Sequence, residues 1–231
     1  MLAMEKPQIS IDTYHEYMVE AFDALNAGFS HLAKAREREV DDHVSDWLFV
    51  RAGMQCRYAF LLGANALEAA ANALLRGLNR SPSSYIDLEK LPTLLKFEIF
   101  CLAHGAELDR GNVLYARIKE VVRCRNEFVH PKPRKVSGDL TDDNEDVELQ
   151  ISKTKTRQYP MYFSMFEPKH ACNAIGDILA FVAWVVFDLC SFEPAEGALL
   201  IGYNSYGGTA KVSNIGAEYG FDLRTFNMLG V

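Results

Sequence analysis

Between Arg123 and Pro131 the chain reads Arg-Cys-Arg-Asn-Glu-Phe-Val-His-Pro, and three of these side chains are suited to work on a phosphate ester. Arg125 carries a planar, permanently charged fork that matches phosphate oxygens. His130 titrates near neutrality and can take or give a proton. Asn126 can donate to an oxygen or orient the imidazole. Asn126 and His130 are four residues apart, about 40° around a helix, so on a helix they meet one turn apart. Pro131 disfavours helical geometry at His130 and places the imidazole at the frayed end of the helix before it.

That helix is expected over about 111–130. Counting back from Arg125, its own face carries Val122, Val121, Ile118 and Leu114, and forward it carries Phe128 and Val129. An arginine in the middle of an apolar stripe is costly unless the guanidinium has a partner or a task. A carboxylate stands in an equally apolar setting. The segment 58–78 is apolar nearly all round except for one polar line, Asn65, Glu68 and Asn72. Either that line is a narrow solvent edge, or Glu68 faces inward and pairs with Arg125, each solving the other's desolvation. The second is the expectation. Each residue also has a purely architectural use: a helix C-terminus favours a histidine through its dipole, and Asn126 can cap carbonyls.

Composition narrows the setting. The chain has 231 residues, 49% hydrophobic and 24% charged, enough for one globular domain with an appendage. A net charge of −7 argues against a protein that coats nucleic acid. Locally the balance reverses: from Arg117 to Lys135 seven basic residues face only Glu120 and Glu127, so Arg123 and Lys132 are candidate phosphate contacts beside Arg125. The run Asp139 to Glu148 then carries six acids and no base, and could fold over the basic patch as a mimic of RNA.

The five cysteines are scattered singly, as small buried hydrophobes of a reducing compartment. The start shows no basic-then-apolar leader pattern, and the apolar block Ile178 to Phe187 is only ten residues, so a cytoplasmic protein with no membrane span is expected. His15, His31, His43, His104 and His170 show no metal-ligand spacing, and no glycine-rich phosphate loop is present. Neither metal nor cofactor is expected.

The elements that must position the site are read from periodicity. Apolar residues at helical spacing predict helices over about 10–39, 44–79, 111–130 and 168–191, with a shorter one from Leu91-Pro92 to Gly105 and a turn at Ser81 to Ser84. Between the motif and the last helix, Val147–Ile151 and Tyr159–Phe163 read as two weak strands of a hairpin. A tail over 192–231 holds a second candidate hairpin, Ala198–Ile201 with Ala210–Val212. The fold class is all-α: an antiparallel four-helix bundle over 1–191, one extra short helix, the inserted 131–167 region, and a tail packed on the bundle. The segments 58–78 and 178–187 offer more apolar surface than one small bundle needs, and a homodimer is the natural sink.

Arg125-Asn126-x-x-x-His130, on the penultimate long helix of such a bundle, resembles the R-x4-6-H motif of the HEPN superfamily (higher eukaryotes and prokaryotes nucleotide-binding domains), in which a polar residue commonly follows the arginine. The resemblance covers about residues 10–191, though only the motif is specific. It implies a four-helix domain that dimerises so that two Arg/His sets face each other across a cleft. Many members are metal-independent endoribonucleases, often toxins, here with an antitoxin-like protein partner, or antiviral effectors; others are non-catalytic modules that bind a nucleotide or a protein. For a nuclease, the RNA 2′-OH attacks the adjacent phosphorus, leaving a 2′,3′-cyclic phosphate and a 5′-OH. His130 would serve as base or acid, Arg125 would hold the phosphorane oxygens, and Asn126 would orient His130 or bind an oxygen. The 131–167 excursion and the tail depart from a minimal bundle, and either could cover the cleft or dock a partner.

Overall fold

The computed structural model describes residues 13–37, 43–78, 82–130, 138–140, 147–149, 153–193, 196–197 and 200. Its elements are α1 (Thr13–Arg36), α2 (His43–Gly77), α3 (Pro82–Glu89), α4 (Thr93–Ala103), α5 (Val113–Val129), β1 (Gly138–Leu140), β2 (Val147–Leu149) and α6 (Pro168–Ala183), which runs on as a π-helical turn over Trp184–Leu189. The chain is mostly helical and belongs to the all-α class.

The apolar periods explain the long helices. In α1, Tyr14, Met18, Ala21, Phe22, Leu25 and Phe29 recur every three or four residues and are buried. They lie against α2, which runs antiparallel: the Ser45 hydroxyl donates to the Ala35 carbonyl at 3.2 Å, His31 meets Trp47, and Gly28 meets Cys56. A β-carbon at Gly28 would stand 2.7 Å from Cys56 Sγ and 3.2 Å from the Ala52 carbonyl, so the close approach of the two helices needs glycine there. Further along α2, from Ala59 to Leu75, most side chains are buried because α1, α4, α5 and α6 all pack on this helix. α5 and α6 are antiparallel too, with Arg117 opposite Asp177 and Phe128 against Phe166, just before α6.

Several expectations need correction. Where a turn was expected at Ser81–Ser84, Pro82 opens α3; proline is well suited to a first helical turn. Val147–Leu149 pairs antiparallel with Gly138–Leu140, not with Tyr159–Phe163. The second stretch makes only a single bridge, Lys153 to Pro160, because Tyr159 and Met161 turn into the core. The candidate tail hairpin lies outside the described residues except at Leu200, which is helical; Phe192 stacks on Phe100 and the Gly197 amide donates to the Glu193 carbonyl at 2.9 Å.

The apolar excess also sits elsewhere than expected. Ile178, Leu179, Phe181, Val182, Val185 and Val186 are all buried within the one chain, and so is most of Ala59–Leu75. Large apolar side chains left open cluster on the first half of α2, at Val44, Trp47, Phe49, Val50, Met54 and Tyr58; others, such as Ile86, Leu102, Val113 and Met165, are exposed elsewhere on the surface. Two helical stretches, His43–Gly77 and Pro168–Leu189, are long and apolar enough to cross a membrane by length and composition, although more than half of the most apolar 18 residues of each is packed inside the protein.

Candidate functional site

α5 is built to present its last turns. Asn112 caps its start, accepting from the Leu114 amide at 2.8 Å. The buried line along it is Tyr115, Ile118, Val121 and Cys124. That line passes one residue away from the face expected for Arg125. The arginine stands on the shoulder beside half-buried Leu114 and Val122, while Cys124 packs inward with its Sγ 3.9 Å from Met161 Sδ. Its Nη1 donates to Asn126 Oδ1 at 3.1 Å. Both residues line a pocket of about 210 Å³, completed by Val122, by Ala64 and Glu68 of α2, and by Leu91, Pro92 and Thr93 where the chain enters α4.

Glu68 does face inward, but its cation is Lys96 and not Arg125. The Lys96 side chain is 1% exposed; its ammonium donates to Glu68 Oε1 and, at 2.8 Å, to Asn72 Oδ1, while the Thr93 hydroxyl donates to Glu68 Oε2. The expected Arg125–Glu68 ion pair does not form. On its half-buried shoulder Arg125 keeps contact with solvent and has little desolvation to offset, whereas Lys96 is enclosed and must have an anion. Sequence reading missed Lys96, though a signal was there: it is the only cation in α4, set between Leu94-Leu95 and Phe97.

His130 is where the proline places it, at the C-cap, with its amide donating to the Asn126 carbonyl at 2.9 Å and its backbone leaving the helix at φ −124°, ψ 65°. The residue is exposed and is not part of the pocket wall. Arg123 is exposed on α5, away from that wall. Lys132 lies outside the described residues, as do Pro131–Ser137 and much of the acidic run. The structure thus brings together Arg125, Asn126 and Glu68, with Lys96, Thr93 and Asn72 behind them.

The basic patch is partly spent on architecture. Asp177, 3% exposed in α6, takes Arg157 Nε on Oδ2 at 2.7 Å, and Arg117 Nη1 approaches its Oδ1 at 3.4 Å. Glu120 accepts the amides of Thr156 and Arg157 at 2.6 and 2.8 Å. Burial pushes the Glu120 pKa up, but these amides and the neighbouring threonine hydroxyls outweigh burial and hold it below the usual carboxylate range. The end of the excursion is therefore stitched to α5 and α6, while Lys119 and Arg123 remain exposed.

His170 is architectural as well. Its Nδ1 accepts the Glu167 amide at 2.9 Å in a capping box at the start of α6, and burial lowers its pKa to about 4. Among the described residues, no three His, Cys, Asp or Glu side chains group as metal ligands. Compared with protein-family models, with curated proteins and with solved structures, the chain matches none.

Proposed function

We propose that this protein engages RNA as a HEPN-like module, with α1, α2, α5 and α6 as its four-helix bundle and the Arg125 pocket as its nucleotide site. One observation carries the reading: a half-buried guanidinium, steadied by Asn126, shares a pocket of about 210 Å³ with a carboxylate that buried Lys96 holds in place. The remaining guanidinium N–H groups suit phosphodiester oxygens. The fixed Glu68 oxygens suit ribose hydroxyl or base N–H donors. The volume is below the range of about 300–1,000 Å³ typical of drug-sized ligands, and suits a single nucleoside unit.

A second reading, metal-independent cleavage, is favoured by exposed His130 one turn beyond Asn126. In that reaction the 2′-oxygen bonds to phosphorus as the P–O5′ bond breaks. One proton leaves the 2′-OH and one reaches the 5′-oxygen, with His130 as the donor or the acceptor. Arg125 meets the charge that develops on the phosphorane. A toxin or defence role in the cytoplasm, with an antitoxin-like partner, is the cellular form of this reading.

Fluorescence anisotropy with a short single-stranded RNA, beside incubation with total RNA in EDTA, tests both. Arg125→Ala should weaken binding about 10- to 100-fold, the worth of a charge-assisted hydrogen bond, with helix content unchanged. Cleavage that persists in EDTA and disappears in His130→Ala establishes the nuclease. Binding without cleavage leaves the non-catalytic module, and no binding by the unaltered protein overturns the proposal.

A further inference from the structure

The Glu68 carboxylate is held at both oxygens. Oε1 accepts the Lys96 ammonium and Oε2 the Thr93 hydroxyl, one bond to each oxygen and both from the α4 side. Its side chain is still 36% exposed, and it lines the pocket that Arg125 and Asn126 share. A carboxylate offers about four acceptor sites, two per oxygen, so each Glu68 oxygen keeps one for a ligand. With both oxygens tied, the plane of the group is fixed before anything binds.

Two parallel acceptor sites on a fixed carboxylate match a ligand edge with two adjacent N–H donors. Among the four RNA bases only guanine has such an edge, N1–H beside the N2 amino group. Adenine sets its N1 lone pair beside the N6 amino group, cytosine its N3 lone pair beside the N4 amino group, and uracil a single N3–H between two carbonyls. Each of these three would turn an acceptor towards the carboxylate, which paired with an ammonium can only accept. The rest of the wall suits the same base. Ala64, Leu91, Pro92 and Val122 give apolar surface for the faces of a planar ring. Arg125 and Asn126, bonded to one another at 3.1 Å, bring N–H donors to the wall for guanine O6 and for phosphate.

We propose that the Arg125 pocket selects guanine, with Glu68 as the residue that sets the specificity: its two oxygens accept N1–H and one N2–H, and Arg125 serves the adjoining phosphate. The proposal rests on the RNA-binding reading and adds the identity of the base. Lys96 and Thr93 are positioning residues, acting on the base only through Glu68.

Fluorescence anisotropy of the full chain with labelled hexauridylate carrying one central guanine, inosine or adenine tests the selection. The guanine RNA should bind the unaltered protein at least about 10-fold tighter than the adenine RNA, the low end for a hydrogen bond to a charged group. Inosine keeps N1–H and lacks the amino group, and its RNA should fall between the two. This comparison needs no variant. Lys96→Met combined with Glu68→Leu removes the carboxylate without stranding the buried ammonium and leaves the net charge unchanged. That protein should bind the guanine and adenine RNAs alike, whereas Arg125→Ala should weaken both by one factor and keep their ratio. Equal binding of guanine and adenine RNAs by the unaltered protein overturns the guanine assignment and leaves RNA binding standing. A preference that persists in the folded double variant overturns the role of Glu68, and an inosine RNA as tight as the guanine one overturns the two-bond contact. If none of the RNAs binds, the RNA reading falls and this proposal with it.

Discussion

The Lys96 ammonium, enclosed between α2 and α4, is held by Glu68, whose own side chain is 36% exposed to the pocket that Arg125 lines. A lysine out of sight of solvent thus fixes the orientation of a carboxylate that a ligand can reach. The pair joins the stability of the α2–α4 contact to the chemistry of the site.

Removing one member should therefore cost more than removing both. Lys96→Met leaves Glu68 with only Thr93 and should destabilise the fold by about 3 kcal/mol, the lower end for a broken buried pair because Glu68 is partly hydrated. Lys96→Met combined with Glu68→Leu should recover most of that loss. Urea unfolding of the two single variants and the double closes the cycle, and a simple sum of the single effects would mean that the two groups do not interact.

Asp177 gathers Arg157 and Arg117 where α5 meets α6. In Asp177→Ala, the partly buried Arg157 guanidinium loses its anion, and the segment 153–160 should loosen from α5 and α6. A loss of about 3 kcal/mol in thermal unfolding is expected. Hydrogen exchange at the Thr156 and Arg157 amides, which donate to Glu120, should speed up in the same variant.

His170 sets a pH dependence. Its folded pKa of about 4 lies below the ordinary histidine value near 6.5, so between those values the unfolded chain binds the extra proton. Stability should be fully present above about pH 6.5 and fall as pH drops towards 4. His170→Asn, which keeps an acceptor near Nδ1, should flatten that slope. Urea midpoints at pH 7 and pH 5 check it, and an unchanged difference between the two in the variant would show that His170 is not the cause.

Gly28→Ala should destabilise the α1–α2 contact by about 1–3 kcal/mol, since the new methyl would meet Cys56 Sγ, even though alanine is the better helix former. Adding Cys56→Ala should return much of the loss. Thermal melts of the two single variants and the pair decide it.

Much of the fold could be read from spacing. Helical periods found the four long helices and the short α4 within a few residues, because a helix buries what recurs every three or four positions. α3 escaped because its eight residues are too few for a period to show. The strand pairing was misassigned because a partner across a loop leaves no trace in local alternation. Within the site, the residue types at the end of α5 and the inward face of Glu68 were both legible. The ion pair was not, since an inward carboxylate accepts whichever cation the neighbouring helices bring to it.

The amino-acid order alone determined the helices, their capped ends and the placement of Arg125, Asn126 and His130 on the last turns of one of them, because those features depend on neighbours a few residues away. Tertiary structure decided that Lys96 and not Arg125 neutralises Glu68, that Arg125 sits on a shoulder opening into a pocket, and that the first half of α2 keeps its apolar face open. A one-residue rotation of the buried line of α5 separates an enclosed arginine from an accessible one. That rotation is set by how α2 and α6 pack against α5, which no local pattern encodes.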